Sequence, residues 1–347
     1  MKKILILVVI LLVAGHFAKI LIDSGQFRKI QNQGFGSCKL RAEIPGAEDM
    51  EYSPAQKLIF VASDNRPQKG EKDKPSGGIY AFSPENNAPA HLVSPALPFP
   101  FHPHGLGLWE EDGNTRVFVV NHRGEESTIE VFDWMGGQLI HVRSFSHDVL
   151  VTPNDILATG AEEFFVSHDH GSRSHFAQTL EHFSRIGRGY LTRYDGTSFF
   201  VVDSGISFAN GLSYDGKKKI LYLAAMLEKA VRVYDLSNPA EPKQIHRIDL
   251  PAAPDNLALG SDGNLWVAAH PRLLTLKSHS ETHSYPSPSV VIKITNPSTA
   301  KAMAKEVMID DGKIIPAASI ALPAAGKLFL GAIYDPRVLV CEVPRAD

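Results

Sequence analysis

Short hydrophobic runs of β type recur along this chain at a steady interval: Leu58-Ile59-Phe60-Val61, Val117-Phe118-Val119-Val120, Phe164-Phe165-Val166, Leu221-Tyr222-Leu223, Leu265-Trp266-Val267 and Leu328-Phe329-Leu330. Each run follows a turn rich in Gly, Asp, Pro or Ala, and ahead of the turn stands a short apolar stretch with a polar opening. The openings are Glu48-Asp49, His104-Gly105, Asn154-Asp155, Asn210-Gly211, Asp255-Asn256 and Ser319. An interval of roughly 50 residues is that of a four-stranded propeller blade, a unit that buries its faces only against its neighbours. The pattern predicts an all-β fold, a six-bladed β-propeller over 38–347, closed by its N- and C-terminal strands. If the units stack around one axis, the openings converge.

Between the runs, alternating stretches such as Ile129-Glu130-Val131-Phe132-Asp133-Trp134 and Val231-Arg232-Val233-Tyr234-Asp235-Leu236 read as half-buried third strands, and 190–196 repeats the idea before a turn. Two segments break the rhythm: 65–78, polar and rich in Lys, Pro and Gly, and 169–189, in which 176–183 reads as a short helix. Insertions in a repeat protein gather on one face, often the binding face.

A chain of 347 residues, 44% hydrophobic, has material for one large core, and all-β domains reach this size undivided. The formal net charge of -3 comes with no Lys/Arg block, so nucleic acid is not the expected partner. Residues 1–22 begin with Met1-Lys2-Lys3 and continue almost wholly apolar, as a signal peptide or an uncleaved anchor long enough to span a bilayer; 23–37 reads as a linker. The protein is expected to be secreted, periplasmic or membrane-anchored, with any membrane association running through 1–22.

Cys38 and Cys341 are the two cysteines. In an oxidising compartment an even count invites pairing, and a closed propeller sets its first and last strands side by side in one blade. A disulfide would lock the ring, with a ceiling of about 5 to 6 kcal/mol in the chain-entropy picture. Two unrelated buried thiols are the alternative.

Calcium takes six to eight oxygen ligands, so a propeller axis that gathers carboxylates and amides from several directions suits it. Glu48, Asn154, Asn210, Asp255 and Asn256 would form one such site. Asp49 and Asp155, one residue further along, could hold a second ion. Asn and Asp also cap turns at strand entries for purely local reasons, but four blades in phase favour the metal.

Taken in order, Gly46-Ala47-Glu48-Asp49, Pro103-His104-Gly105, Val120-Asn121-His122, Pro153-Asn154-Asp155-Ile156, Phe208-Ala209-Asn210-Gly211, Asp255-Asn256 and Leu265-Trp266-Val267 with His270-Pro271 resemble the paraoxonases, calcium-dependent arylesterases and lactonases built as six-bladed propellers. The resemblance runs from about Cys38 to Cys341. It implies two Ca2+ ions: a catalytic one on Glu48, Asn154, Asn210, Asp255 and Asn256, and a structural one on Asp49, Asp155 and the backbone carbonyl of Leu106. It implies a dyad in which His104 takes a proton from water and His122 supports it, with His270 as a further pocket histidine. Retention of the N-terminal segment and hydrolysis of lactones, with aryl esters as accessory substrates, are also implied: a carboxylic ester hydrolase acting on small molecules.

The mechanism is chemically coherent, because a cation with an open position polarises a carbonyl and a histidine near neutrality supplies the base. With 15 histidines in the chain, His122 could instead serve a buried polar contact. His168 and His170 have a spacing compatible with a transition metal but lack further partners, so both are expected to line or support the pocket. No Gly-x-Ser-x-Gly elbow, His-Glu-x-x-His motif or usable Asn-x-Ser/Thr acceptor occurs; Asn296 precedes Pro297. Two other readings stay open: a gluconolactonase-like propeller acting on sugar lactones, and a binding propeller stabilised by calcium without catalysis. The segments 65–78 and 169–189 depart most from the mammalian members, so substrate preference does not carry over.

Overall fold

The second run in each unit is apolar on both sides because both faces of its sheet are covered, and the computed structural model, which describes residues 2–66, 76–124 and 126–343, shows how. Among the described residues the strands form six antiparallel four-stranded sheets. Blade 1 comprises Ala47–Ser53, Leu58–Ser63, Gly78–Phe82 and His91–Leu92. Blade 2 comprises Pro103–Glu111, Asn114–Arg123, Glu126–Met135 and Gln138–Phe145. Pro153–Ala158, Phe164–His168, Gly189–Tyr194 and Phe199–Ile206 make blade 3. Blade 4 has Ala209–Asp215, Ile220–Ala225, Ala230–Asp235 and Lys243–Asp249, and blade 5 has Ala253–Leu259, Leu265–His270, Ser289–Thr295 and Met303–Asp310. Blade 6 runs Ala318–Ala324, Lys327–Ala332, Arg337–Glu342, and takes its outermost strand, Lys39–Glu43, from the start of the domain.

The innermost strands of successive blades touch in cyclic order, and that of blade 6 returns to blade 1. Buried apolar side chains collect at the six junctions between blades: Tyr222 and Val267 lie between blades 4 and 5, Trp266 and Leu330 between blades 5 and 6, and Phe60 and Phe132 between blades 1 and 2. Burial on both sides is why these strands read as continuous hydrophobic runs. The expected disulfide joins Cys38 to Cys341 next to the pairing of Lys39 with Val340, so the ring is closed both by hydrogen bonds and covalently.

One irregularity repeats six times. Pairing between the first and second strands slips between Ala47 and Asp49, Pro103 and Leu106, Pro153 and Ile156, Ala209 and Leu212, Pro254 and Leu257, and Ala318 and Ile320. The residues passed over belong to the openings read from the sequence, Glu48 alone in blade 1, where Asp49 pairs with Ala62. A β-bulge leaves its extra residues unpaired and re-aims their side chains, here at the axis. Neighbouring openings are crowded: a Cβ on Gly105 would strike the Asp155 carboxylate, and one on Gly211 would lie 2.5 Å from Asn256 Cα. Glycine at these two positions is a packing requirement.

Three α-helices among the described residues depart from the propeller pattern. The apolar N-terminus forms α1, Lys2–Asp23, long and apolar enough to cross a membrane. The expected helix at 176–183 appears as α2, His175–Ser184. A third, α3 at Leu273–Thr282, was not expected; its sequence is rich in Ser, Thr, His and Lys and carries no clear apolar stripe. The stretch 23–37, expected as a linker, is strapped along blade 5. Ser24 O accepts from Leu273 N at 2.9 Å, Arg28 pairs with Glu306 at 2.6 Å, and Gln33 bridges Ile309. Of the segment 65–78, residues 67–75 lie outside the described residues.

Candidate hydrolytic site at the propeller axis

In an antiparallel blade the first strand begins at the end where the second finishes. The openings and the connections from second to third strands therefore share one end of the axis, and α2 and α3 are such connections, in blades 3 and 5. They enclose a cavity of about 380 Å³ whose lining includes Glu48, His104, Asn154, Asn210 and Asp255. Ile20 and Ser24, at the end of α1, complete the wall.

The oxygen set is wired together around the ring. Asn256 Nδ2 donates to the Glu48 backbone carbonyl and to Glu48 Oε1, each at 3.1 Å, and Asn210 Nδ2 donates to Asp255 Oδ1 at 2.7 Å. The carboxylates engage the N–H ends of these two amides and leave the carbonyl ends available. Four of the set's buried acceptors then have no hydrogen-bond partner among the described residues: Glu48 Oε2, Asn154 Oδ1, Asn210 Oδ1 and Asn256 Oδ1. Orphaned buried acceptors are rare and call for an explanation. All four belong to the five residues expected to hold the first calcium. Among the described residues no three His, Cys, Asp or Glu side chains converge as a metal cluster; this set relies on amide oxygens, with two carboxylates.

Below it sit the residues expected for a second ion. Asp49 Oδ2 accepts from Leu106 N at 2.8 Å, and Asp155 accepts from Ile156 N at 2.7 Å and Leu212 N at 2.6 Å. Burial first, and then neighbouring acids (Asp155 and Glu48 for Asp49, Glu48 and Glu51 for Asp155), push both carboxyls well above the ordinary range. Leu106 is brought here by its N–H as well as by its place after the register slip.

His104 Nδ1 lies 3.0 Å from His122 Nε2, and His122 Nδ1 lies 3.0 Å from Ser127 Oγ. His104 Nε2 is 3.5 Å from Glu48 Oε1. Burial alone would raise the Glu48 carboxyl, but the adjacent His104, then Arg66 and the Asn256 amide, hold it down to about 2. Burial, then the neighbouring His104, lowers His122 to about 3, so it is neutral at neutral pH.

His270 and His170, expected in the pocket, do not border the cavity; each stands behind an acid that does. His270 Nε2 bonds Asp255 Oδ2 at 2.7 Å, and His170 Nδ1 bonds Asp169 Oδ1 at 2.7 Å. His168 is fully buried, stacked on Tyr190 and 3.0 Å from Thr192 Oγ1, a structural position. The sequence reading missed Asp169 as a wall residue, although it stands between two histidines already noticed. It also undervalued Ser319, whose hydroxyl donates to the Glu48 carbonyl at 2.6 Å across the closing junction. No local signal marks that partnership, 271 residues apart in the chain.

The chain is similar to known proteins over most of its length. Serum paraoxonase/arylesterase 2 of Rattus norvegicus is 28% identical over 327 residues, with 91% of each chain covered. Serum paraoxonase/arylesterase 1 of Homo sapiens is 26% identical over 337 residues, again covering 91% of each. Among solved structures, a putative gluconolactonase superposes with a TM-score of 0.56 at 15% identity, covering 88% of this chain and 91% of that one. The regucalcin of Agrobacterium tumefaciens, described as a calcium-binding protein, gives 0.54 at 10% identity, covering 91% and 98%. These two likenesses carry the propeller fold alone. The disulfide and apolar α1 fit a chain with a signal or anchor. The family description Arylesterase matches residues 92–343, most of the propeller and all but one of the axial openings, and on that match the chain belongs to the arylesterase family.

Proposed function

We propose that this protein is a calcium-dependent hydrolase of lactones and aryl esters, with the oxygen set at the axis as its metal site and His104 as its base. Four partnerless buried oxygens in one ring carry the reading. Hard oxygen donors of mixed amide and carboxylate type match calcium, and two carboxylates nearly balance its charge. Glu48, Asn154, Asn210, Asp255 and Asn256 would hold the catalytic ion; Asp49, Asp155 and the Leu106 carbonyl would hold a structural one. A bound calcium ion would supply Lewis-acid polarisation of the ester carbonyl.

The chain's own residues supply the rest. Neutral His122, with its Nδ1 proton directed at Ser127 Oγ, presents a bare Nε2 to His104. His104 then carries its proton on Nδ1 and offers Nε2 to a water. As that water's oxygen bonds the acyl carbon, its proton passes to His104 Nε2, and the imidazolium is stabilised by His122 on one side and ionised Glu48 on the other. The C–O bond to the leaving oxygen breaks, and the proton is returned to that oxygen. Phe183, Phe208 and Leu273 give the wall an apolar stretch for the acyl portion.

Purified full-length protein assayed with phenyl acetate, a long-chain acyl lactone and a sugar lactone tests the reading. Activity on the first two, abolished by chelation and restored by Ca2+, is expected. Activity on the sugar lactone alone would favour a gluconolactonase, and turnover that survives complete calcium removal would sink the proposal.

A further inference from the structure

The cavity that holds the oxygen set is also lined by a cation that has no carboxylate partner among the described residues. Arg185 ends α2 in the left-handed conformation, φ 57°, and lines the cavity wall. The buried Nε of its guanidinium has no hydrogen-bond partner, and among the described residues no carboxylate pairs with the group. Asp23 is the acid whose field reaches it, but Lys19 already holds that carboxylate at 2.6 Å. Lys277 of α3 lines the same cavity, and its partner Glu281 lies at the surface one turn further along. Lys229 adds a third positive charge, close enough to Arg185 to be repelled by it, and is itself half-buried without an ion pair among the described residues.

The acids of the cavity are committed elsewhere. Glu48 is held by Asn256, Asp255 by Asn210 and His270, and Asp169 by His170. The lining thus combines the oxygen set, with Arg66 close enough to Glu48 to hold its carboxyl down, with Arg185, which has no carboxylate partner among the described residues, and with apolar Phe183, Phe208 and Leu273. Arg185 is half-buried with its Nε shielded from water, and the fork of donors on its guanidinium matches a carboxylate.

We propose that Arg185 is a specificity residue whose guanidinium receives a carboxylate at the far end of the substrate's side chain, so that the preferred lactones and esters carry an anionic tail. This rests on the hydrolytic reading above. The reacting carbonyl lies at the floor, the tail runs along the apolar wall, and its terminal carboxylate meets Arg185, with Lys277 contributing charge nearby.

The test compares three δ-lactones of equal side-chain length, ending in a methyl group, a methyl ester and a carboxylate, on the calcium-loaded full-length protein. The carboxylate lactone should be preferred over its methyl ester by about tenfold or more in kcat/KM. Arg185→Gln should erase that preference through KM with kcat kept and the methyl-terminated lactone unchanged, while Arg185→Lys should retain part of it. Both variants accept the same backbone conformation as arginine does, so folding is not the expected casualty. Equal turnover of the three lactones by the wild type, or an equal loss on all three in Arg185→Gln, overturns the proposal. The same carboxylate chemistry could come from the hydrolysis product: weaker inhibition of Arg185→Gln by the product of the methyl-terminated lactone, without any tail preference in the wild type, would assign Arg185 to product and overturn the substrate role. Calorimetric titration with octanedioate keeps the two readings separable. Binding that weakens about tenfold in Arg185→Gln supports the anion site even if no lactone is hydrolysed, and binding indifferent to the substitution overturns it.

Discussion

At the floor of the cavity the oxygen ligands and His104 stand on innermost strands, at a register slip that recurs in all six blades, whereas the wall is assembled from helical segments that each occur once. The floor is also over-determined. Glu48 is bonded from blade 5 by Asn256 and from blade 6 by Ser319, and Asp155 ties blade 3 to blade 4 through Leu212 N. The wall has looser ties: Phe183 contributes its carbonyl to His16 Nε2 at 2.9 Å and a tilted ring contact with Phe17. Chemistry that tolerates little displacement sits on the cross-linked part, and substrate contact sits on the part that can vary without disturbing the ring. Changes at the floor should therefore affect every substrate alike, and changes in the wall should reorder substrates while leaving the metal site intact.

The largest effect is expected at His104. His104→Gln should lower kcat on all lactones by about 10²- to 10⁴-fold, the usual contribution of a positioned base, with bound calcium unchanged by elemental analysis. Turnover within about twofold of the parent, far below that contribution, would remove His104 from the mechanism. A smaller effect should appear in stability when the cation is stripped. Asp49 and Asp155 are raised well above the ordinary carboxyl range and Glu51 to about 8, in each case first by burial, with neighbouring acids adding to it for Asp49, Asp155 and Glu51 alike. An acid harder to ionise in the folded than in the unfolded chain stabilises the fold while it is protonated, and that stability is lost as pH rises through the raised value. The melting temperature of the chelated protein should accordingly fall by several degrees between about pH 5 and 8, and that of the calcium-loaded protein should not. Parallel curves would separate these carboxyls from metal binding.

The contrast between floor and wall is also the contrast between what could and could not be read from the chain. A motif repeated in phase names its own residues: the convergence of Glu48, Asn154, Asn210, Asp255 and Asn256 was legible because each stands in the opening of its unit, and the Cys38–Cys341 bond because ring closure brings the chain's ends together. Single-copy features gave less. Helix α2 shows an apolar periodicity through Phe176, Leu180 and Phe183, but in α3 the apolar start gives way to polar residues such as Lys277, Ser278 and His279, with no stripe to announce a helix, and it went unread. His170 and His270 were placed in the pocket because their positions in the sequence cannot say whether a side chain faces a cavity or the acid in front of it. Arg185 had no sequence signal at all; only the fold shows that it ends a helix against a shared cavity.

The smallest effect belongs to the wall. Phe183 lines the cavity while remaining 43% exposed, so its ring offers a substrate chain only part of its surface. Losing about 40 Å² of apolar contact corresponds to roughly 1 kcal/mol at about 25 cal/mol per Å², or about fivefold. Phe183→Ala should therefore raise KM for a long-chain acyl lactone by about fivefold, leave phenyl acetate nearly unchanged, and keep both calcium content and melting temperature, because the side chain belongs to none of the interblade cores. An equal loss on both substrates, or a loss of calcium, would mean that α2 supports the floor, and the division between a fixed chemical centre and an exchangeable wall would fail at the point where it is most easily tested.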